Sequence, residues 1–151
     1  MKLHTLDLKI ISWVQRHFSL LARTALFIVY FYFGFLKLFG LSPATPLAAA
    51  LTERTIGLEY FDTLYILLSA FECVIGILFL FPKATRVVIP MLLVHIALVS
   101  APLVLLTDLV WLKPLVPTLE GQYIIKNAAI VALALGIAAT LQPLGHKKAH
   151  K

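Results

Sequence analysis

Charge is what this sequence has least of. Only 13% of its 151 residues are Asp, Glu, Lys or Arg, while 61% are hydrophobic. A soluble domain typically carries about 25% charged and about 45–50% apolar residues. That leaves too little polar surface to clothe a water-soluble fold, which excludes a soluble enzyme and a disordered chain. A single cysteine, Cys73, excludes an intrachain disulfide, a CxxC thiol pair and a cysteine-built zinc centre. Also missing are a phosphate-binding glycine loop, a nucleophile elbow and a metalloprotease helix motif, so no autonomous catalytic constellation is visible. His4, His17, His146 and His150 have spacings that match no established ligand set, and no metal is expected.

Long apolar runs are abundant. About 20 helical residues cross a hydrocarbon core of roughly 30 Å, and four stretches have that length: Ala22–Leu41, Thr63–Phe81, Val87–Thr107 and Tyr123–Leu141. In lipid the backbone must satisfy its own hydrogen bonds, so these runs read as helices. The short link Pro82–Arg86 forces the second and third into an antiparallel hairpin. The expected fold is all-α: one integral membrane domain, residues 1–151, built as a four-helix bundle.

The net charge of +6 raises nucleic acid as a partner, but the placement of the bases answers otherwise. Lys2, Lys9, Arg16, Arg23, Lys83, Arg86, Lys147, Lys148 and Lys151 fall on one side of the spans. The other side has Arg54 and Lys113, with Glu53, Glu59, Asp62, Asp108 and Glu120. Under the positive-inside rule this puts both termini in the cytoplasm. The bilayer is the expected partner, and nucleic acid is not. Residues 1–21 lack the apolar core of a cleavable signal peptide. Leu3, Leu6, Ile10, Trp13, Val14 and Phe18 instead recur at helical spacing opposite Lys2, Lys9 and Arg16, as in an amphipathic interfacial helix or, alternatively, a partner-docking helix. On the outer side, Thr45-Pro46 reads as a helix start leading into Leu47–Leu51, and Leu109–Leu112 is apolar but too short to span. Both are expected to lie along the interface, as lids or as plain anchors.

Ionisable groups inside spans are costly and mark candidate sites. Lys37, Glu72, His95 and Lys126, with Asn127, place at least one polar group on every span. At a rise of about 1.5 Å per residue, Lys126 lies about 5 Å, Lys37 about 6 Å, Glu72 about 14 Å and His95 about 18 Å below the outer ends. Tyr30, Gly34 and Lys37 share a helical face, as do Ser69, Glu72, Cys73 and Gly76, and as do Tyr123, Lys126, Asn127 and Ile130. Glu72 is therefore expected to pair with Lys37, Lys126 or both, because an unpaired buried carboxylate would take up a proton. The plainer alternatives are that the lysines snorkel outward, that Glu72 makes a structural ion pair, that His95 bonds across helices and that Tyr30 packs. A bis-His haem lacks a second intramembrane histidine, so haem is disfavoured unless two chains pair their His95 residues.

Gly34-Phe35-Leu36-Lys37, Glu72-Cys73-Val74-Ile75-Gly76-Ile77-Leu78 and Gly121-Gln122-Tyr123-Ile124-Ile125-Lys126-Asn127 resemble the DoxX-like superfamily of small four-helix bacterial membrane proteins. The nearest branch includes an inner-membrane reactive-chlorine-resistance protein. The resemblance covers roughly Arg23 to Leu141. It implies a multi-pass protein of the bacterial cytoplasmic membrane in which Lys37, Glu72 and Lys126 share a polar site. It also implies a non-autonomous subunit of a redox or oxidative-stress defence system, with a membrane or peripheral oxidoreductase as partner and a quinone as the small molecule it admits. Two other classes stay open: a small proton-coupled transporter, with Glu72 and His95 titrating, and a structural or assembly factor. A homo-oligomer is compatible with each.

Overall fold

The computed structural model describes residues 2–143. Met1, the tail bases Lys147, Lys148 and Lys151, and His146 and His150 lie outside the described residues. The chain runs α1 (Lys2–Leu38), α2 (Thr45–Thr55), α3 (Phe61–Phe79), α4 (Thr85–Ser100), α5 (Pro102–Leu105), α6 (Thr107–Val110), β1 (Trp111–Lys113), β2 (Val116–Pro117), α7 (Leu119–Ile125) and α8 (Asn127–Ala138). Four stretches are long and apolar enough to cross a membrane: Leu3–Leu38, Leu58–Phe79, Pro82–Leu105 and Leu119–Ala138. This is the architecture of a multi-pass helical membrane protein.

Three boundaries differ from expectation. Residues 1–21 do not form an interfacial helix of their own, because α1 continues unbroken past Leu21 to Leu38. Its 37 residues extend roughly 55 Å, well beyond a bilayer core of about 30 Å. The fourth span is interrupted at Lys126, between α7 and α8. The third is interrupted at Ala101, ahead of Pro102, whose missing N–H cannot continue the ladder; Pro90 sits inside α4 without ending it.

The end of α1 is built to stop there. Gly40 has φ +67°, its N–H donates to the Lys37 carbonyl at 3.1 Å, and the Leu41 N–H donates to the Leu36 carbonyl at 2.9 Å. This paired pattern closes a helix through a left-handed glycine and fixes Lys37 in the last turn.

Around the bundle, α1 packs on α3 and α8, and α4 packs on the same two. The α1–α3 approach is close because two glycines face the seam. A Cβ on Gly34 would lie 2.8 Å from the Ser69 carbonyl oxygen, and one on Gly76 would lie 2.7 Å from the Phe31 nitrogen. Small residues are what allow such backbone contact in lipid. Leu26, Ile75, Phe79, Val88, Leu92, Ala134 and Ile137 fill the core between the helices.

The segments around α2 and between α5 and α7 contain more structure than the sequence suggested. β1 and β2 form an antiparallel hairpin, a small exception to an all-helical chain. The Arg54 guanidinium donates to both Asp108 carboxylate oxygens, at 2.7 and 3.0 Å, and to the Leu105 carbonyl at 3.1 Å. That clasp ties α2 to α5 and α6, and the Arg54 bond holds the Asp108 carboxyl below its ordinary range. Thr45 opens α2, and its hydroxyl bonds the Ser42 carbonyl at 2.8 Å and the Tyr65 hydroxyl at 2.9 Å, so α2 is also anchored to α3.

Gly76→Ala should cost about 1–3 kcal/mol of unfolding free energy, the usual scale for overpacking, since its clash is with backbone. Gly136→Ala should cost much less, because its Cβ would meet only the Phe18 ring tip, at 3.1 Å. Reversible unfolding in mixed detergent micelles measures both, and equal effects would contradict the close α1–α3 packing.

Candidate functional site

The positions Arg23, Tyr30 and Lys37 recur every seven residues and form one seam of α1. Ser69, Glu72 and Gly76 are buried on one face of α3, and α4 contributes His95. Where these faces meet, four polar side chains form an unbroken chain. The Lys37 ammonium donates to both Glu72 oxygens, with Nζ 2.5 Å from Oε2. The Glu72 Oε1 also lies 2.8 Å from His95 Nε2, and His95 Nδ1 lies 3.3 Å from the Tyr30 hydroxyl. The Tyr30 and His95 rings meet edge-on, with centroids 5.2 Å apart.

The chemistry of the partners assigns the protons. A carboxylate paired with an ammonium is ionised and only accepts, so Nε2 of His95 carries the hydrogen and donates to Glu72. In the neutral Nε2–H tautomer, Nδ1 accepts and the Tyr30 O–H is the donor there. Tyr30, Glu72 and His95 are all buried. Lys37 is the most accessible member, with its side chain 12% exposed.

The six candidate residues thus divide. Tyr30, Lys37, Glu72 and His95 come together; Lys126 and Asn127 do not join them. Lys126 is exposed, its ammonium 4.9 Å above the Tyr123 ring, and Asn127 is half-buried. The reason is helical phase. The bundle-facing positions of α7 are Gly121 and Ile124, and Lys126 lies about 200° around the helix from Ile124. The shared face of Tyr123 and Lys126 is real but points outward. Glu72 therefore pairs with Lys37 and not with Lys126.

Arg23 was expected among the surface bases and is buried instead. Its guanidinium donates to the Ser19 hydroxyl at 3.2 Å, the Phe79 carbonyl at 3.3 Å and the Thr85 hydroxyl at 2.7 Å. It joins α1 to the end of α3 and the start of α4. The seven-residue spacing from Tyr30 and Lys37 was the available signal, since it puts all three on the inward seam. A concavity of about 280 Å³ lies elsewhere, lined by Trp13, Val14, Phe18, Leu21, Ala22, Ala25 and Leu133.

No protein-family model, curated protein or solved structure matches this chain.

Removing one partner of a buried pair strands the other, typically at about 3–5 kcal/mol, whereas replacing the whole pair with apolar groups is often neutral. Lys37→Met and Glu72→Leu should therefore each destabilise the protein by about that amount. The double variant should be more stable than the sum of the two losses implies. Lys126→Met should stay within about 0.5 kcal/mol of wild type. A thermodynamic cycle of unfolding measurements tests this, and strictly additive Lys37 and Glu72 effects would contradict the pairing.

Proposed function

We propose that this chain is a DoxX-like subunit of a redox or oxidative-stress defence system in the bacterial cytoplasmic membrane, with both termini in the cytoplasm. Its Lys37–Glu72–His95–Tyr30 chain is the receptor for a small molecule of the quinone type. The protein acts alongside an oxidoreductase partner and is not an autonomous enzyme.

The observation that carries this reading is the polar chain itself. Four polar groups from three helices bond in series among apolar side chains, where hydrophobic residues would satisfy stability alone. An ammonium has three N–H donors. Glu72 engages two of those on Lys37, and the third has no partner among the described hydrogen bonds. A quinone carbonyl accepts a hydrogen bond and needs no charge compensation, so it suits a held, partly exposed ammonium.

Glu72→Gln keeps the shape and removes the charge that holds Lys37 in place. A short-chain ubiquinone analogue should bind purified wild type, and Glu72→Gln at normal abundance should bind about tenfold more weakly, a difference of about 1.4 kcal/mol. No binding to wild type overturns the quinone reading. Loss of the variant's abundance in cells points to a structural or assembly role.

Donation from Tyr30 through His95 to Glu72 favours a second reading, proton-coupled permeation through Glu72 and His95. Proteoliposome flux that Glu72→Gln and His95→Ala leave unchanged rules it out.

A further inference from the structure

Charge counting along the buried chain points to more than a docking point. With the Lys37 ammonium, the Glu72 carboxylate and the neutral tautomer of His95, the charges along the chain sum to zero. Consider one additional proton on the Glu72–His95 pair. Whichever of Nε2 and Oε1 then holds the hydrogen between them, Nδ1 carries an N–H as well. The Tyr30 oxygen, 3.3 Å away, must turn from donor to acceptor.

Two costs attach to that state. The Tyr30 O–H has no other acceptor among the described hydrogen bonds, and leaving it unmet in a buried place is unfavourable. The chain also acquires a net positive charge between apolar helices, where charge is poorly solvated. Among the described residues no other charged group is hydrogen-bonded to the chain to offset it. The titratable groups bonded along this chain are Tyr30 and Lys37 from α1 and Glu72 from α3, while Glu120 and Tyr123 on α7 and Lys126 between α7 and α8 are exposed. An anion against the remaining Lys37 N–H removes the second cost, because attraction between charges is strong in a low-dielectric site.

We propose that the chain takes up a monoanionic oxygen ligand at Lys37 together with one proton at the His95–Glu72 pair. The ligand class is a weak organic acid, bound as its anion while its counter-proton sits on the chain, so the buried charge stays at zero. Tyr30 is the positioning residue: its oxygen receives the new Nδ1–H. By linkage, the proton and the anion strengthen each other's binding by the same factor. This inference rests on the reading of Lys37 as the ligand-facing group, and it adds a charge requirement to it.

The test is calorimetry on the full chain in detergent, with a hydroxynaphthoquinone that is anionic at neutral pH and with its neutral parent naphthoquinone. Each is titrated in two buffers of different protonation enthalpy. The anion should bind with uptake of one proton, and its affinity should fall about tenfold per pH unit on the alkaline side. The parent should bind without proton uptake. His95→Gln should abolish the uptake, and Tyr30→Phe should weaken the anion about tenfold. If the parent binds but the anion brings no proton, or if both variants keep the uptake intact, the coupling is overturned and quinone-type binding stands. If neither compound binds wild type, both readings fail.

Discussion

A carboxylate inside an apolar helix bundle must be held by cations and donors or give up its charge, and Glu72 is held. The rest of the molecule is arranged around that constraint. Lys37 reaches it from the last turn of α1, where the left-handed Gly40 stops the helix and fixes the lysine's height. His95 reaches it from α4, and Tyr30 in turn satisfies the outer nitrogen of the imidazole. Gly34 and Gly76 let α1 and α3 approach at backbone distance, which brings the Lys37 and Glu72 side chains within reach of each other. A larger residue at either glycine would separate the partners as well as the helices.

The bundle is polar at three levels and apolar between them. Arg23 closes one end by joining α1, α3 and α4 through neutral acceptors. The core of Leu26, Ile75, Phe79, Val88 and Leu92 follows, and Tyr30 borders both that core and the polar chain. At the opposite end, Arg54 and Asp108 clasp α2 to α5 and α6. This exposed clasp matters most for arranging the outer segments, since surface ion pairs contribute little to stability. Because the Arg54 bond lowers the Asp108 ionisation range, its contribution is fully present above the ordinary aspartate range, near about 3.9. It is lost as pH falls through the lowered value.

Much of this was legible because charge is scarce. With few ionisable residues inside apolar runs, Lys37, Glu72 and His95 stood out, and seven-residue spacing placed Tyr30 and Lys37 on one face. Lys126 was misplaced because depth and a face shared with Tyr123, Asn127 and Ile130 do not say which face meets the bundle, and α7 buries Gly121 and Ile124 instead. Arg23 was misread because a base near a span end ordinarily meets headgroups, and its acceptors come from residues 56 and 62 positions away. The continuity of α1 was hidden by an amphipathic stretch leading into a uniformly apolar one, which nothing in a linear pattern requires to be either bent or straight. The short hairpin at Trp111–Pro117 depends on Leu115 adopting φ +65°, a local turn with no glycine to announce it.

The account turns on Glu72 being an ionised carboxylate shared by Lys37 and His95. Infrared difference spectroscopy of the purified protein, with Glu72→Gln as the reference, isolates the vibration of that one side chain. Wild type at neutral pH should show the carboxylate stretching bands, and Lys37→Met should replace them with the carbonyl stretch of a protonated acid. A wild-type protein that already shows the protonated acid band would contradict the account.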